Sequence, residues 1–204
     1  MFFCEGEDLV EAATAAPVEL LVAGENVDPR LLAEVSTAAH PPRVIGVYRR
    51  NDLPAGERRP VTLALWRVAD PGNVGTLIRT ADAFGAAVAL SEGCADPTGP
   101  KALRASAGSI WRVPLLPFEP LPGRRVALVA RGGEPLANVD LLGEVTFLVG
   151  AEREGLPAGL ERDAEAWIPI SGAESLNAAV AGAIALYEWQ RQNSGVASRL
   201  PPGI

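Results

Sequence analysis

The sequence predicts an α/β protein built around a largely parallel sheet. Beyond residue 61, short apolar runs alternate with helical patterns, which is how a parallel sheet covered by helices reads. The runs are apolar throughout instead of alternating with polar residues, as strands buried on both faces require. Several of them empty into glycine-rich loops, the position at which open α/β sheets bind ligands.

Taken in order, the first segment reads as a helix at 7–15, a strand at 18–23, a helix at 29–37 and a strand at 44–49. This small α/β unit spans residues 1–52, and the proline- and charge-rich stretch at 53–60 reads as a linker. The second segment, 61–204, carries predicted strands at 61–68, 86–90, 111–115, 125–130, 145–149 and 166–170. Predicted helices fall at 74–84, stopped by Gly85, and at 100–107, 158–163 and 176–192. Trp66, Trp111 and Trp167 lie in or beside strands and read as core residues, and the last ten residues read as a loose tail.

With 204 residues, 48% of them apolar, the chain can bury a sizeable core. The most apolar stretch, 178–186, is too short for the ~20 residues of a membrane span, and the N-terminus lacks the pattern of a signal peptide. Cys4 and Cys94 are far apart, and no His and Cys cluster has metal-ligand spacing, so neither a disulfide framework nor a metal site is expected. The reading is a cytoplasmic protein. A net charge of −7 opposes indiscriminate binding of nucleic acid. The cations, however, are 17 arginines against one lysine, bunched at Arg49 and Arg50, Arg58 and Arg59, Arg124 and Arg125, with Lys101 and Arg104 on one predicted helix. Such local patches suit a structured RNA; solvated surface pairs are the plainer reading.

Three short segments carry the chemistry. Asp70-Pro-Gly-Asn-Val-Gly75 ends a strand and opens a helix, so its amides can face an anion, or Asn73 can simply cap the helix. Arg79 follows six residues after Asn73 beside Leu77 and Ile78, and as a partly buried cation it would need an anionic partner. Gly150-Ala-Glu152-Arg-Glu-Gly155 follows the strand at 145–149, and its glycines allow a ligand close to the backbone. In the third segment, Pro169 of Ile168-Pro-Ile170 argues against an ordinary central strand position, and Ser175 reads as the cap of the last helix. Helix propensity does not account for Asn177 just inside that helix. Small residues at Ala178, Ala179, Ala181, Gly182 and Ala183 permit close helix packing, in the core or between subunits. His40, before two prolines, reads as a loop residue; it leaves no basis for a Ser-His-Asp triad, and no P-loop lysine is present.

In order and approximate spacing the three motifs resemble those of the SpoU/TrmH family of the SPOUT superfamily, RNA ribose 2′-O-methyltransferases that use S-adenosylmethionine. The resemblance runs over about 61–192. It implies a C-terminal trefoil knot, which periodicity alone would never suggest. It also implies that 1–52 is an RNA-binding module of ribosomal L30e type, here starting late, and that the protein is a homodimer acting on rRNA or tRNA. By the same resemblance Asn73, Arg79, Glu152, Ser175 and Asn177 form the catalytic set. Val149, Gly150, Ala151, Glu152, Gly155, Ile168, Pro169, Ile170, Leu176, Asn177 and Ala179 would hold the donor. Arg79 would act as general base toward the 2′-hydroxyl or as an electrostatic clamp on phosphate and developing alkoxide.

Two other classes compete. A nucleotide-dependent oxidoreductase would use the same kind of sheet, but Gly72-Asn-Val-Gly75 is not the Gly-x-Gly-x-x-Gly turn that admits a pyrophosphate. A non-catalytic RNA-binding or ribosome-associated protein would have no need of all five motif residues.

Overall fold

The computed structural model describes residues 1–38 and 40–194, so the predicted tail lies outside the described residues. The chain opens with β1 (Phe2–Glu5), α1 (Glu7–Glu11), β2 (Glu19–Val22), α2 (Pro29–Val35) and β3 (Val44–Tyr48). The three strands form an antiparallel sheet in the order β1-β3-β2. β1 was not expected from the sequence, being four residues with no turn signal before it. It forms because Phe2 and Cys4 alternate with Phe3 and Glu5, putting two apolar side chains on the buried face.

That buried face is not self-contained. Phe2 and Tyr48 pack on Trp111 of the second segment, with ring centroids 5.5 and 4.7 Å from the indole. All three belong to the main apolar cluster. Cys4 is enclosed in the same cluster, and burial pushes its thiol up to about 12 against a smaller opposing contact from Trp111, which makes it an inert core residue. Arg50 also ties the segments, donating from Nη1 to Asp96 Oδ1 at 2.9 Å.

The second segment continues with β4 (Val61–Leu65), α3 (Pro71–Ala83), β5 (Ala87–Leu90), α4 (Pro100–Ser106), β6 (Leu115–Pro117) and β7 (Arg124–Leu128). It then runs through β8 (Glu134–Pro135), β9 (Val145–Val149), β10 (Ala164–Trp167) and α5 (Ala178–Asn193). The sheet order is β6-β5-β4-β9-β7-β10-β8, and every pairing is parallel. β4 and β9 lie centrally with all five residues of each buried, as their predominantly apolar runs, interrupted only by Thr62 and Thr146, require. β9 and β10 each enter between strands laid down earlier.

Helix contacts are close. A Cβ on Gly75 would fall 2.2 Å from the Ala102 carbonyl oxygen, so α3 and α4 touch backbone to backbone. A Cβ on Gly182 would meet Leu77 Cδ2 at 2.5 Å, so the small-residue face of α5 serves the chain's own core.

Two expected elements differ. Residues 158–163 form a turn, not a helix: Leu160 N bonds Pro157 O, and Asp163 is held by Arg125 through Oδ2 and through its own N–H. Six residues around Gly159 cannot offset helix nucleation against those anchors. Trp111 ends a short helical turn, Ser109–Trp111, and the strand begins only at Leu115. Gly108 at φ 81 turns the chain there, and the indole is drawn into the core against Phe2 and Tyr48.

Candidate functional site

α3 begins directly after Asp70, so Pro71, Gly72 and Asn73 form its first turn, and its cap is Asp70, not Asn73. The Asp70 carboxylate accepts from the Asn73 N–H at 2.9 Å and from Lys101 Nζ at 2.9 Å. The Lys101 bond first, then the Asn73 amide, hold this carboxyl below the usual carboxylate range. Pro71 at the first helical position suits a site where no N–H is needed. With capping assigned to Asp70, the side chain of Asn73 is left for another task.

That task joins the three motifs. Asn73 Nδ2 donates to Glu152 Oε1 at 2.8 Å, and Asn73 Oδ1 accepts from Asn177 Nδ2 at 2.9 Å. Asn177 Oδ1 in turn accepts from Ala179 N at 2.9 Å and Val180 N at 3.3 Å, capping α5. A carboxylate only accepts, so Asn73 must turn its amide nitrogen to Glu152 and its oxygen to Asn177. Asn177 then has only its oxygen left for the helix. One carboxylate thus orients two amides, and the helix begins two residues later than expected, with Asn177 in place of Ser175 as cap.

Beside this ladder lies a cleft of about 780 Å3 at the carboxyl ends of the adjacent strands β9, β7 and β10, closed by the start of α5. The volume suits a small-molecule site, typically about 300–1,000 Å3. Apolar walls come from Leu128, Val149, Ile168, Ile170 and Leu176; Gly150 to Gly155 forms a backbone-lined rim. A Cβ on Gly150 would sit 2.5 Å from the Gly155 carbonyl carbon, so the loop closes tightly on itself, while Gly155 at φ 66 faces open space. Apolar walls for a flat base, a glycine rim for a ribose and Glu152 for polar contacts fit a nucleoside-type ligand such as S-adenosylmethionine.

Of the donor residues expected from the sequence, Val149, Gly150, Ala151, Glu152, Gly155, Ile168, Ile170, Leu176 and Asn177 line the cleft, as does Ser175. Pro169 and Ala179 do not; Ala179 is buried in the core. Sequence reasoning missed the loop Leu128 to Arg131, which forms one wall. The signal was present: a strand running into Gly132-Gly133, as at the other two loops. Arg79 departs most from expectation. It is exposed on α3, outside the cleft lining, with no ion pair among the described residues. Its neighbours Leu77 and Ile78 are fully buried because they lie about 200° and about 100° around the helix from it, on the side that faces the core. Among the arginine pairs noted in the sequence, Arg50 bonds Asp96, Arg59 bonds Glu57 and Arg125 bonds Glu161, so much of that charge is engaged internally. Among the described residues, no group of acidic, His or Cys side chains could hold a metal, and no helix is long and apolar enough to cross a membrane.

Fold and site together define an α/β protein whose ligand cleft is assembled from the late strands and closed by the final helix. The turn after β4, where a Rossmann-type dinucleotide would lie, does not line this cleft. The model of the SpoU rRNA Methylase family matches residues 60–187. The 23S rRNA (guanosine(2553)-2′-O)-methyltransferase RlmP of Bacillus subtilis is 35% identical over 217 residues, covering 91% of this chain and 87% of that protein. The 23S rRNA (uridine(2479)-2′-O)-methyltransferase of Streptomyces viridochromogenes is 34% identical over 192 residues, covering 80% of this chain and 66% of that one. Among solved structures, the AdoMet-bound rRNA methyltransferase from Sinorhizobium meliloti superposes with TM-score 0.81 at 30% identity, covering 93% and 87% of the two chains. The SpoU methyltransferase AviRb from Streptomyces viridochromogenes, in complex with AdoMet, gives 0.79 at 26% identity, covering 97% and 91%. The chain belongs to the SpoU rRNA methylase family.

Proposed function

We propose that this chain is a cytoplasmic methyltransferase that transfers a methyl group from S-adenosylmethionine to a ribose 2′-oxygen of ribosomal or transfer RNA. The observation that carries the reading is the Glu152–Asn73–Asn177 ladder at the edge of the nucleoside-sized cleft. The named activities of the relatives and the donor bound in two solved neighbours support it.

The donor carries an activated methyl on a sulfonium, so the protein's work is alignment and care of the acceptor proton. Leu128, Ile168, Ile170 and Leu176 would hold the adenine, and the Gly150 to Gly155 rim the ribose and methionine parts. Glu152 has Oε1 engaged by Asn73, leaving Oε2 to accept a hydrogen bond from the acceptor hydroxyl. Ser175, exposed on the cleft, would contact substrate. Arg79 lies six residues from Asn73, about 9 Å along the helix at about 1.5 Å per residue, exposed and outside the lining of its own cleft. It therefore serves best as a phosphate clamp in the site of a second subunit. Thr76 and Ala83 are exposed with it on α3, and Val180 and Tyr187 expose 46% and 60% of their surface on α5. This composite surface supports a homodimer. The insertion of β9 and β10 between earlier strands, followed by α5 packing back on α3, supports a knotted path. Residues 1–52 would contribute RNA affinity, while 61–204 hold donor and chemistry.

The test is methyl transfer from labelled S-adenosylmethionine to total RNA from cells lacking the gene, with nucleosides identified by mass spectrometry. A 2′-O-methylnucleoside is expected. A methylated base would overturn the ribose assignment, and no incorporation would overturn the enzyme.

A further inference from the structure

A second recess, of about 280 Å3, lies against the same Ala151 to Glu154 stretch as the donor cleft, and it is completed by Arg67, Ala69 and Gly93. The wall between the two hollows is therefore the loop that carries Glu152. Asn73 holds that loop from the side, so the recess borders the place where donor and acceptor must meet.

Arg67 is held there by an unusual backbone. It follows β4 in the left-handed region at φ 51, which a residue with a Cβ adopts at a cost and keeps only when its surroundings enforce it. They do so here. The Arg67 N–H donates to Ser91 Oγ at 2.9 Å, the Ser91 N–H bonds Leu65 O at 3.0 Å, and the Ala95 N–H bonds Val68 O at 2.9 Å. The turns after β4 and β5 are thereby fastened together around this residue. The left-handed turn lays the Arg67 side chain over Gly93, where a Cβ would stand 3.2 Å from Nε and 3.3 Å from Cγ. Gly93 itself has φ 85, so both residues of the contact take backbone conformations that set the guanidinium in this recess.

The guanidinium is poorly employed inside the chain. Its ion pair is Nη1 to Glu154 Oε2 at 3.7 Å, with the two side chains 56% and 74% exposed. A pair that long and that wet is easily exchanged for a better anion. Arg153, on the same recess, has no ion pair among the described residues. Two arginine forks beside a catalytic loop match the geometry of phosphate oxygens.

We propose that this recess is an acceptor-side phosphate site, in which Arg67, assisted by Arg153, grips a phosphodiester flanking the target ribose and so sets that ribose against Glu152. The inference rests on the RNA methyltransferase reading above. Arg67 is a positioning residue: it acts on the phosphate of the substrate and takes no part in donor binding.

The experiment measures methyl transfer to total RNA from cells lacking the gene, at several salt concentrations, with wild type and the variants Arg67→Gly and Arg67→Lys. Donor affinity is measured by calorimetry for each. Glycine accepts the left-handed backbone, so Arg67→Gly removes the guanidinium without threatening the fold. Its expected signature is a KM for RNA raised about tenfold, kcat within threefold of wild type and unchanged donor affinity. The slope of log kcat/KM against log salt should flatten by about 0.7–0.9, the counterion release of one phosphate contact. Arg67→Lys should restore the slope while recovering only part of the KM. An Arg67→Gly enzyme with unchanged KM and salt slope would overturn the phosphate site, as would a loss of donor affinity in Arg67→Gly, which would make Arg67 a mere partner of the loop. A wild-type enzyme that transfers no methyl to RNA would overturn the underlying reading, and this inference with it.

Discussion

Replacing Asn73 by aspartate changes one atom and reverses the logic of the site. The lost Nδ2 donor removes a hydrogen bond to a carboxylate, worth about 1.5–3 kcal/mol. The new charge would face Glu152 across the contact now made at 2.8 Å. At about 4 Å two like charges cost from about 1 kcal/mol in water to about 4 kcal/mol at an effective dielectric near 20. Glu152 is exposed, so the lower end applies. In the resting protein the loop can turn Glu152 into solvent and relax, which limits the loss of stability to about 1–2 kcal/mol, or about 2–8 °C in Tm for a chain of this size. On the proposed mechanism catalysis needs the ladder re-formed, so kcat/KM should bear the whole penalty, roughly 100- to 1,000-fold at about 1.36 kcal/mol per decade. Asn73→Ala adds no charge and should lose only about 10- to 100-fold. Adding Glu152→Gln to Asn73→Asp supplies an amide donor opposite the new carboxylate and should recover most of the lost Tm. The assays are thermal unfolding by circular dichroism and methyl transfer, arranged as a double-mutant cycle. An Asn73→Asp enzyme more active than Asn73→Ala, or strictly additive Tm losses in the double variant, would refute the ladder.

Three further outcomes are expected. Arg79→Ala should keep its Tm and donor affinity and lose at least 100-fold in kcat, with Arg79→Lys rescuing little, since a point charge does not replace a bidentate fork; near-normal turnover would remove Arg79 from the mechanism. Tyr187→Glu places a charge on an exposed apolar patch of α5 and should convert a dimer to monomer in light scattering, with activity falling in parallel; a monomeric wild type with full activity would contradict the composite site. Asp96 is held well below its ordinary range chiefly by Arg50, then by Thr98, against the opposing effect of burial. Its contribution to stability is therefore fully present above the unfolded value near 3.9 and is lost as pH falls below it. The Tm advantage of wild type over Asp96→Asn should be constant from pH 7 to 5 and shrink from pH 4 to 3; an advantage that grows on acidification would refute the assignment.

Much of this protein is written locally. Val61–Leu65 and Val145–Val149 are apolar but for one threonine each and do not alternate, and that pattern marks them as central strands of a covered parallel sheet. The three loop motifs, each a strand running into glycine, marked where the ligand site would lie, because glycine and asparagine report backbone needs that act over a few residues. The short β1 was not legible, since four residues become a strand only once Phe2 and Cys4 have Trp111 to pack against. Nor could local pattern distinguish a helix cap from a link between motifs. Asp70, Asn73, Ser175 and Asn177 are all competent caps, and the choice fell to Asp70 and Asn177 only when folding brought Glu152 to Asn73 across 79 residues and Asn177 to Asn73 across 104. The burial of Arg79 was misjudged for the same reason, since periodicity shows which residues share a helix face but not which face its neighbours cover. The sequence by itself determined the kind of sheet, its central strands and the loops that meet beside the cleft, all properties of near neighbours along the chain. The tertiary structure decided which polar groups partner one another, which cations stand free and where the recess beside Glu152 lies, because hydrogen-bond partners and burial depend on segments that meet only after the chain has packed.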